Sequence, residues 1–345
     1  MIKVKKIWNN NQLKININIK NILFVNYFIR SNYIYNSKKV LIIGSIGMDQ
    51  TIFNKQLPRF GEINIGEITK NPGGKGNNEA IACARAGGES TFIGVVGEDY
   101  EKILEKTLID NNISPKLKKL KNINSHTASI IVGENGESII LVSPGADLYL
   151  DKNLIDDHMN FIENAYIILL QLEIPFETVK YVIEKCHEKG IKSILRPSPP
   201  PEELSDDIIQ KVTYLMPNKS ELSKISGLPT NDEEQIDKAC QNIMNRGAQN
   251  LIVPLGTKGC IFWNNKGKKI FNSYMLDEDK VIDTTGSVDC FIGVFAAYLS
   301  KKFSEEEAIK YANLAASISV CITGTINSYP KLDDINRKKA KVENW

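Results

Sequence analysis

Cysteine and histidine are scarce in this chain and are never paired. The six cysteines, Cys83, Cys186, Cys240, Cys260, Cys290 and Cys321, lie far apart with no CxxC among them. Neither a zinc site nor a disulfide framework is indicated, and a reducing compartment is the simpler setting. His126, His158 and His187 are scattered as well, which favours ordinary structural roles over catalysis. No long apolar run is available for a membrane span: Asn21–Ile29 is too short and too interrupted. Acidic residues are missing from residues 1–38, which hold seven of the positive charges behind the net charge of +2 and so leave −5 on the rest. That mildly acidic body gives no electrostatic case for nucleic-acid binding. The GxGxxG dinucleotide spacing and the Walker spacing with its Ser/Thr are also absent, which disfavours a nicotinamide cofactor and a P-loop.

What is present is a chain of 345 residues, 42% hydrophobic, enough for one large globular domain or one domain with an appendage. Residues 1–38, rich in Asn, Ile and Lys, show no helix or strand periodicity. They suit a disordered extension or a targeting peptide, so the location is cytoplasmic, or an organelle if they direct import. Ordered structure is expected from Val40-Leu41-Ile42-Ile43, followed by regular alternation of strands and helices in which each strand ends in a polar or Gly-rich turn. That pattern predicts a mostly parallel sheet with helices on both faces and ligands at the strand C-termini. Alternating segments near 51–70 and 127–142, the latter turned at Glu134–Glu137, predict a small antiparallel sheet beside the main one.

Three stretches carry chemistry. Asp283-Thr284-Thr285-Gly286-Ser287-Val288-Asp289-Cys290 runs into the apolar Phe291–Leu299, a small-residue turn feeding a helix whose first amides suit an anion. Asp289 is either a proton acceptor for phosphoryl transfer to a hydroxyl or an ordinary capping residue. Gly73-Gly74-Lys75-Gly76, followed by Asn77, Asn78 and a small-residue helix, is either a ligand-hugging loop or a flexible connection before a tightly packed helix. Gly44-Ser45-Ile46-Gly47-Met48-Asp49 follows the first strand, where an α/β sheet places ligand contacts.

Together with Gln171-Leu172-Glu173, Asn218 with Glu221, and Leu255-Gly256-Thr257-Lys258-Gly259, these motifs resemble, in order, the ribokinase branch of the PfkB family of carbohydrate and nucleoside kinases. The resemblance covers roughly residues 39–330. It implies a three-layer α/β/α sandwich over 39–335 with a Rossmann-like sheet and a small β-sheet lid, often dimeric through that lid, with 336–345 as a tail. Asp289 is then the catalytic base, and Gly286, Ser287, Val288 and Asp289 form the anion hole. Asp49, Gly73, Gly74, Lys75, Asn78 and Glu173 match sugar-binding positions. Gly256, Thr257, Gly259 and Asn313 match the nucleotide site of ATP, and Asn218 and Glu221 match the motif that organises Mg2+ through water. Asp283, Thr285, Ser319, Gly324 and Ser328 match a K+ site. The implied activity is ATP-dependent phosphorylation of D-ribose to D-ribose 5-phosphate. Four residues depart from the pattern: Val288 for a glycine, with a side chain that disfavours positive φ; Gly47 and Arg196 for asparagines; and Pro254 for a threonine. These departures keep two alternatives open, a kinase for another small sugar or nucleoside, and a weakly active or inactive sugar- or nucleotide-binding relative.

Overall fold

The structure, a computed structural model, describes residues 6–9, 12–15, 39–54, 57–133, 137–274 and 280–342. They fall into two units, Met1–Ser37 and Lys38–Trp345. In the first, β1 (Lys6–Asn9) pairs antiparallel with β2 (Gln12–Ile15), a pairing that the sequence pattern did not suggest. The expectation of disorder or targeting for the rest of residues 1–38 lies outside the described residues, as does the turn at 134–136.

The second unit is built on a nine-stranded sheet of β3 (Val40–Ile43), β6 (Ser90–Gly97), β7 (Ser114–Leu120), β10 (Ile167–Leu170), β11 (Lys192–Leu195), β12 (Tyr214–Leu215), β13 (Asn250–Pro254), β14 (Cys260–Asn264) and β15 (Gly267–Phe271). The order is β15-β14-β13-β12-β11-β10-β3-β6-β7. Strands β7 to β13 in that order run parallel, and β14 and β15 close the other edge antiparallel. Short apolar runs such as Val40–Ile43 form strands buried on both faces. The pleat sends Val40 and Ile42 into one core and Leu41 and Ile43 into the other.

Helices supply the two outer layers. On the first face lie α1 (Lys75–Arg85) and α2 (Glu101–Asp110). The chain then crosses to α3 (Lys152–Asp157), α4 (Met159–Glu163), α5 (Phe176–Lys189), α6 (Asp206–Lys211), α7 (Lys219–Ser226) and α8 (Glu233–Asn245). It returns with α9 (Ser287–Ser300), α10 (Glu305–Ser319) and α11 (Leu332–Lys339). α9 is the most apolar of the first layer and is buried from Asp289 to Ser300. Gly293 lets it approach α1 closely, since a Cβ there would lie 2.8 Å from Ala82 Cβ and Cys83 N. That approach sets the N-terminal turns of α1 and α9 side by side.

A separate sheet contains β4 (Gly47–Phe53), β5 (Glu67–Gly73), β8 (His126–Val132) and β9 (Ser138–Ser143) in the order β5-β4-β8-β9. It is mixed rather than purely antiparallel, because β4 and β8 run parallel. Ile63 and Ile65, expected in strands, lie exposed in the connection between β4 and β5; their alternating pattern finds no partner strand among the described residues.

Two further differences have physical reasons. β7 was not legible because Pro115 and three lysines weaken its pattern, yet these are the residues that an edge strand tolerates. The segment expected as a tail from residue 336 is instead helical to Lys339, held by the buried Ile335; residues 343–345 lie outside the described residues.

Candidate active site

Two adjoining cavities open at the C-terminal edge of the parallel strands, of about 670 Å³ and about 390 Å³. The larger is bounded by Lys75 at the start of α1, the turns after β10 and β11, and the head of α7. Gly74 caps α1 at φ +88, where a Cβ would come within 3.0 Å of the Ile46 backbone. This crossing presses the loop against Glu173. The Glu173 carboxylate accepts Lys75 N–H at 3.0 Å and Ser45 Oγ–H at 2.5 Å, and it pairs with the Lys75 ammonium. Burial pushes this carboxyl up, but Lys75, His126 and the hydrogen bonds outweigh burial and hold it at about 2. Asp49, on β4, sits against Gly73, where any side chain would collide with its carboxylate. Burial raises Asp49 to about 6, with His126 opposing.

Beneath this wall, His126 Nδ1 lies 2.9 Å from Asp147 Oδ2, both nearly sealed from solvent. Burial lifts Asp147 to about 7. Burial alone would lower His126, but Asp147, with Glu173 and Asp49, more than compensates, so the imidazole is raised.

At the head of α9, the positive φ falls on Gly286 (+72). Val288 is an ordinary helical residue, absent from the positive-φ positions, so the expectation that its side chain strains the turn is corrected. What Val288 adds is bulk, lining the smaller cavity. Ser287 N–H closes onto Thr284 O at 3.2 Å, while the first-turn amides of Val288 and Asp289 have no acceptor within the helix.

Asp289 is buried, at 4% exposure. Its Oδ2 accepts Asn78 Nδ2–H at 3.3 Å, and its Oδ1 is paired with the Arg196 guanidinium. Arg196 Nε lies 3.4 Å from Glu221 Oε1. Arg196 thus bridges the carboxylate of α9 and the head of α7.

Glu221 and Asn218 form a reciprocal capping box on α7: Asn218 Oδ1 accepts Glu221 N–H at 2.8 Å, and Glu221 Oε2 accepts Asn218 N–H at 2.9 Å. Asn218 and Ser220 line both cavities. Gly256, Thr257, Gly259 and Asn313 line the smaller one, and Asn313 Nδ2 rests 3.7 Å from Cys260 Sγ.

Behind the anion turn, Asp283 accepts Thr285 N–H at 2.9 Å and Gly324 N–H at 2.8 Å. Burial works against ionisation there, but these hydrogen bonds keep the carboxyl below its usual range. Tyr329 Oη–H donates to Gly286 O at 3.1 Å, and Arg85 holds the Ile326 and Tyr329 carbonyls. Ser328 Oγ–H turns to Thr325 O at 2.7 Å, and Ser319 Oγ–H turns to Ala316 O at 2.9 Å.

The structure therefore brings Lys75, Glu173 and Asp49 together, sets Asn78 on Asp289, and gathers the nucleotide-loop residues around the second cavity. Sequence reasoning passed over Arg196 as a partner of Asp289, the His126–Asp147 pair, Glu79, and the Arg85–Tyr329 brace. Only Arg196 had a usable signal, its place at the end of β11 beside the Glu173 turn.

A buried carboxylate in the first turn of a helix, paired with an arginine that lines one of two adjoining cavities and next to a valine that lines the other, suits a phosphotransferase that brings two small molecules together. The model of the pfkB family carbohydrate kinases matches residues 37–332, and the chain belongs to that family: it is an ATP-dependent sugar kinase. It is 31% identical to a deoxyribokinase of Salmonella typhi over 307 residues, covering 86% of this chain and 97% of that one. It is 30% identical to the ribokinase of Mus musculus, over 86% and 93% of the two chains. The structure of Arabidopsis thaliana ribokinase complexed with ribose and ATP superposes with a TM-score of 0.81 at 26% identity, over 88% of this chain and 98% of that one.

Proposed function

We propose that the protein transfers the γ-phosphoryl group of ATP to the primary hydroxyl of D-ribose, giving D-ribose 5-phosphate. The observation that carries this is Asp289, buried in the first turn of α9 between Val288, which lines the smaller cavity, and Arg196, which lines the larger and pairs with it. Asp289 takes the acceptor hydroxyl's proton as its oxygen attacks phosphorus, and the amides of the Gly286–Asp289 turn offset the charge that builds there. Asp49, Gly73, Gly74, Lys75, Asn78 and Glu173 hold the sugar. Asn218, Gly256, Thr257, Gly259 and Asn313 hold the nucleotide.

Asn218 and Glu221 suit Mg2+ reached through water, because the capping box and Arg196 already occupy their oxygens. The metal would supply charge neutralisation on the phosphates. Asp283, Gly324 and Ser328, with the Thr285 and Ser319 carbonyls, would supply oxygen ligands suited to K+, whose part would be to keep the anion turn rigid. Exposed Ile68, Ile140, Leu141 and Val142 on the small sheet suit a homodimer through that lid, and the unpaired thiols suit the cytoplasm.

A second acceptor, 2-deoxyribose, is favoured by Gly47. It offers no side chain to a sugar hydroxyl, and the His126 backbone fills the space a side chain would take. The test is steady-state turnover with MgATP across ribose, 2-deoxyribose and a panel of sugars and nucleosides, with and without K+. Absence of ribose turnover refutes the first assignment, and turnover indifferent to K+ refutes the cation site.

A further inference from the structure

Arg196 stands where nothing in a neutral-sugar pocket requires a cation. It is 8% exposed and lines the larger cavity. One face of its guanidinium meets Asp289 Oδ1, and its Nε lies 3.4 Å from Glu221 Oε1 without a hydrogen-bond partner. Lys75, the neighbouring cation of that cavity, is committed to Glu173. Asn218 and Ser220, beside Glu221, face both cavities, so a group passing from the nucleotide to the acceptor moves past Arg196. Two buried carboxylates at that point would repel a polyphosphate. A planar cation between them offsets that repulsion and presents a fork suited to phosphate oxygens.

We propose that Arg196 is a catalytic residue that contacts the γ-phosphoryl group during its transfer, an inference that rests on the kinase reading above. The acceptor O–H proton passes to Asp289, and the acceptor oxygen forms a new bond to phosphorus. The bond from phosphorus to the β,γ-bridging oxygen breaks, its electron pair leaving with ADP. Arg196 exchanges no proton; it balances charge on the peripheral phosphoryl oxygens. Asp289 keeps room for the hydroxyl, since each carboxylate oxygen has two acceptor positions and the structure fills one on each.

The test compares the parent with Arg196→Gln, which keeps an N–H donor for Asp289 but no charge. Dissociation constants for the β,γ-imido analogue of ATP and for ADP, each with Mg2+, are measured by calorimetry alongside kcat. Loss of a charge-assisted contact lowers the preference for the imido analogue over ADP about tenfold, leaves ADP affinity unchanged, and lowers kcat by about 10²–10³. A preference retained within about twofold, or a kcat at or above that of the parent, overturns the proposal. Should Arg196→Gln not fold, Arg196→Lys is read in its place: a loss of about tenfold or more in kcat with ADP affinity intact supports the proposal, and unchanged kcat and preference overturn it. Turnover of the parent tests the kinase reading separately, because the nucleotide preference is independent of the acceptor.

Discussion

Glu79 offers the sharpest thermodynamic test. It lies on α1, fully buried, with Gln171 Nε2 donating to its Oε2. Burial pushes its carboxyl from 4.5 to about 8, with Arg196 and Gln171 pulling the other way. The folded protein therefore holds a proton there that the unfolded chain releases above 4.5, so stability is intact below that value and declines as pH rises towards about 8. Between about pH 6 and about pH 8.5 the loss attributable to this group is about 2–3 kcal/mol. Glu79→Gln keeps the shape and the bond from Gln171 and removes the titration. Urea unfolding of both proteins at the two pH values gives the difference directly. Asp49 and Asp147 titrate in the same range, but they do so in both proteins and cancel. If the parent and the variant lose the same stability over this range, to within about 0.5 kcal/mol, Glu79 is not held protonated and the account of that core is wrong.

The remaining predictions concern the head of α9. Gly286→Ala places a Cβ 2.5 Å from Tyr329 Oη and 2.9 Å from Thr325 Cγ2 at φ +72; it costs about 1–2 kcal/mol in backbone strain and lowers kcat by about tenfold or more, seen by thermal melts and turnover together. Asp289→Asn lowers kcat by about 10³ while calorimetry finds nucleotide affinity unchanged; residual turnover near the parent's would remove Asp289 from the base role. Val288→Gly does not raise turnover, because the residue is already helical. It costs about 1 kcal/mol in urea unfolding, and a marked gain in kcat would contradict that reading.

The sheet was legible wherever strands are short apolar runs. Val40–Ile43 and Ile167–Leu170 are buried on both sides, and their composition says so. β7 was not, because an edge strand is selected for lysine and proline rather than for apolar alternation. In the site, glycines and Asp289 announced the anion turn, but not its phase: whether the left-handed residue is 286 or 288 depends on where α9 begins, which local sequence leaves uncertain by a residue or two. The partnership of Arg196 with Asp289 and Glu221 joins residues from three distant segments. A departure at one position could be noticed in the sequence, but its partners could not.

Helix α1 is about 16 Å long. It carries Lys75 and Asn78 at one end and Arg85 at the other, and Arg85 grips the carbonyls of the loop whose Tyr329 holds Gly286. Asn78 in turn reaches Asp289, three residues on from Gly286. These joints form a closed ring. In a ring each joint supports the same geometry, so loosening one transfers load to the others instead of freeing the loop, and the energetic effects of paired substitutions around it will not add.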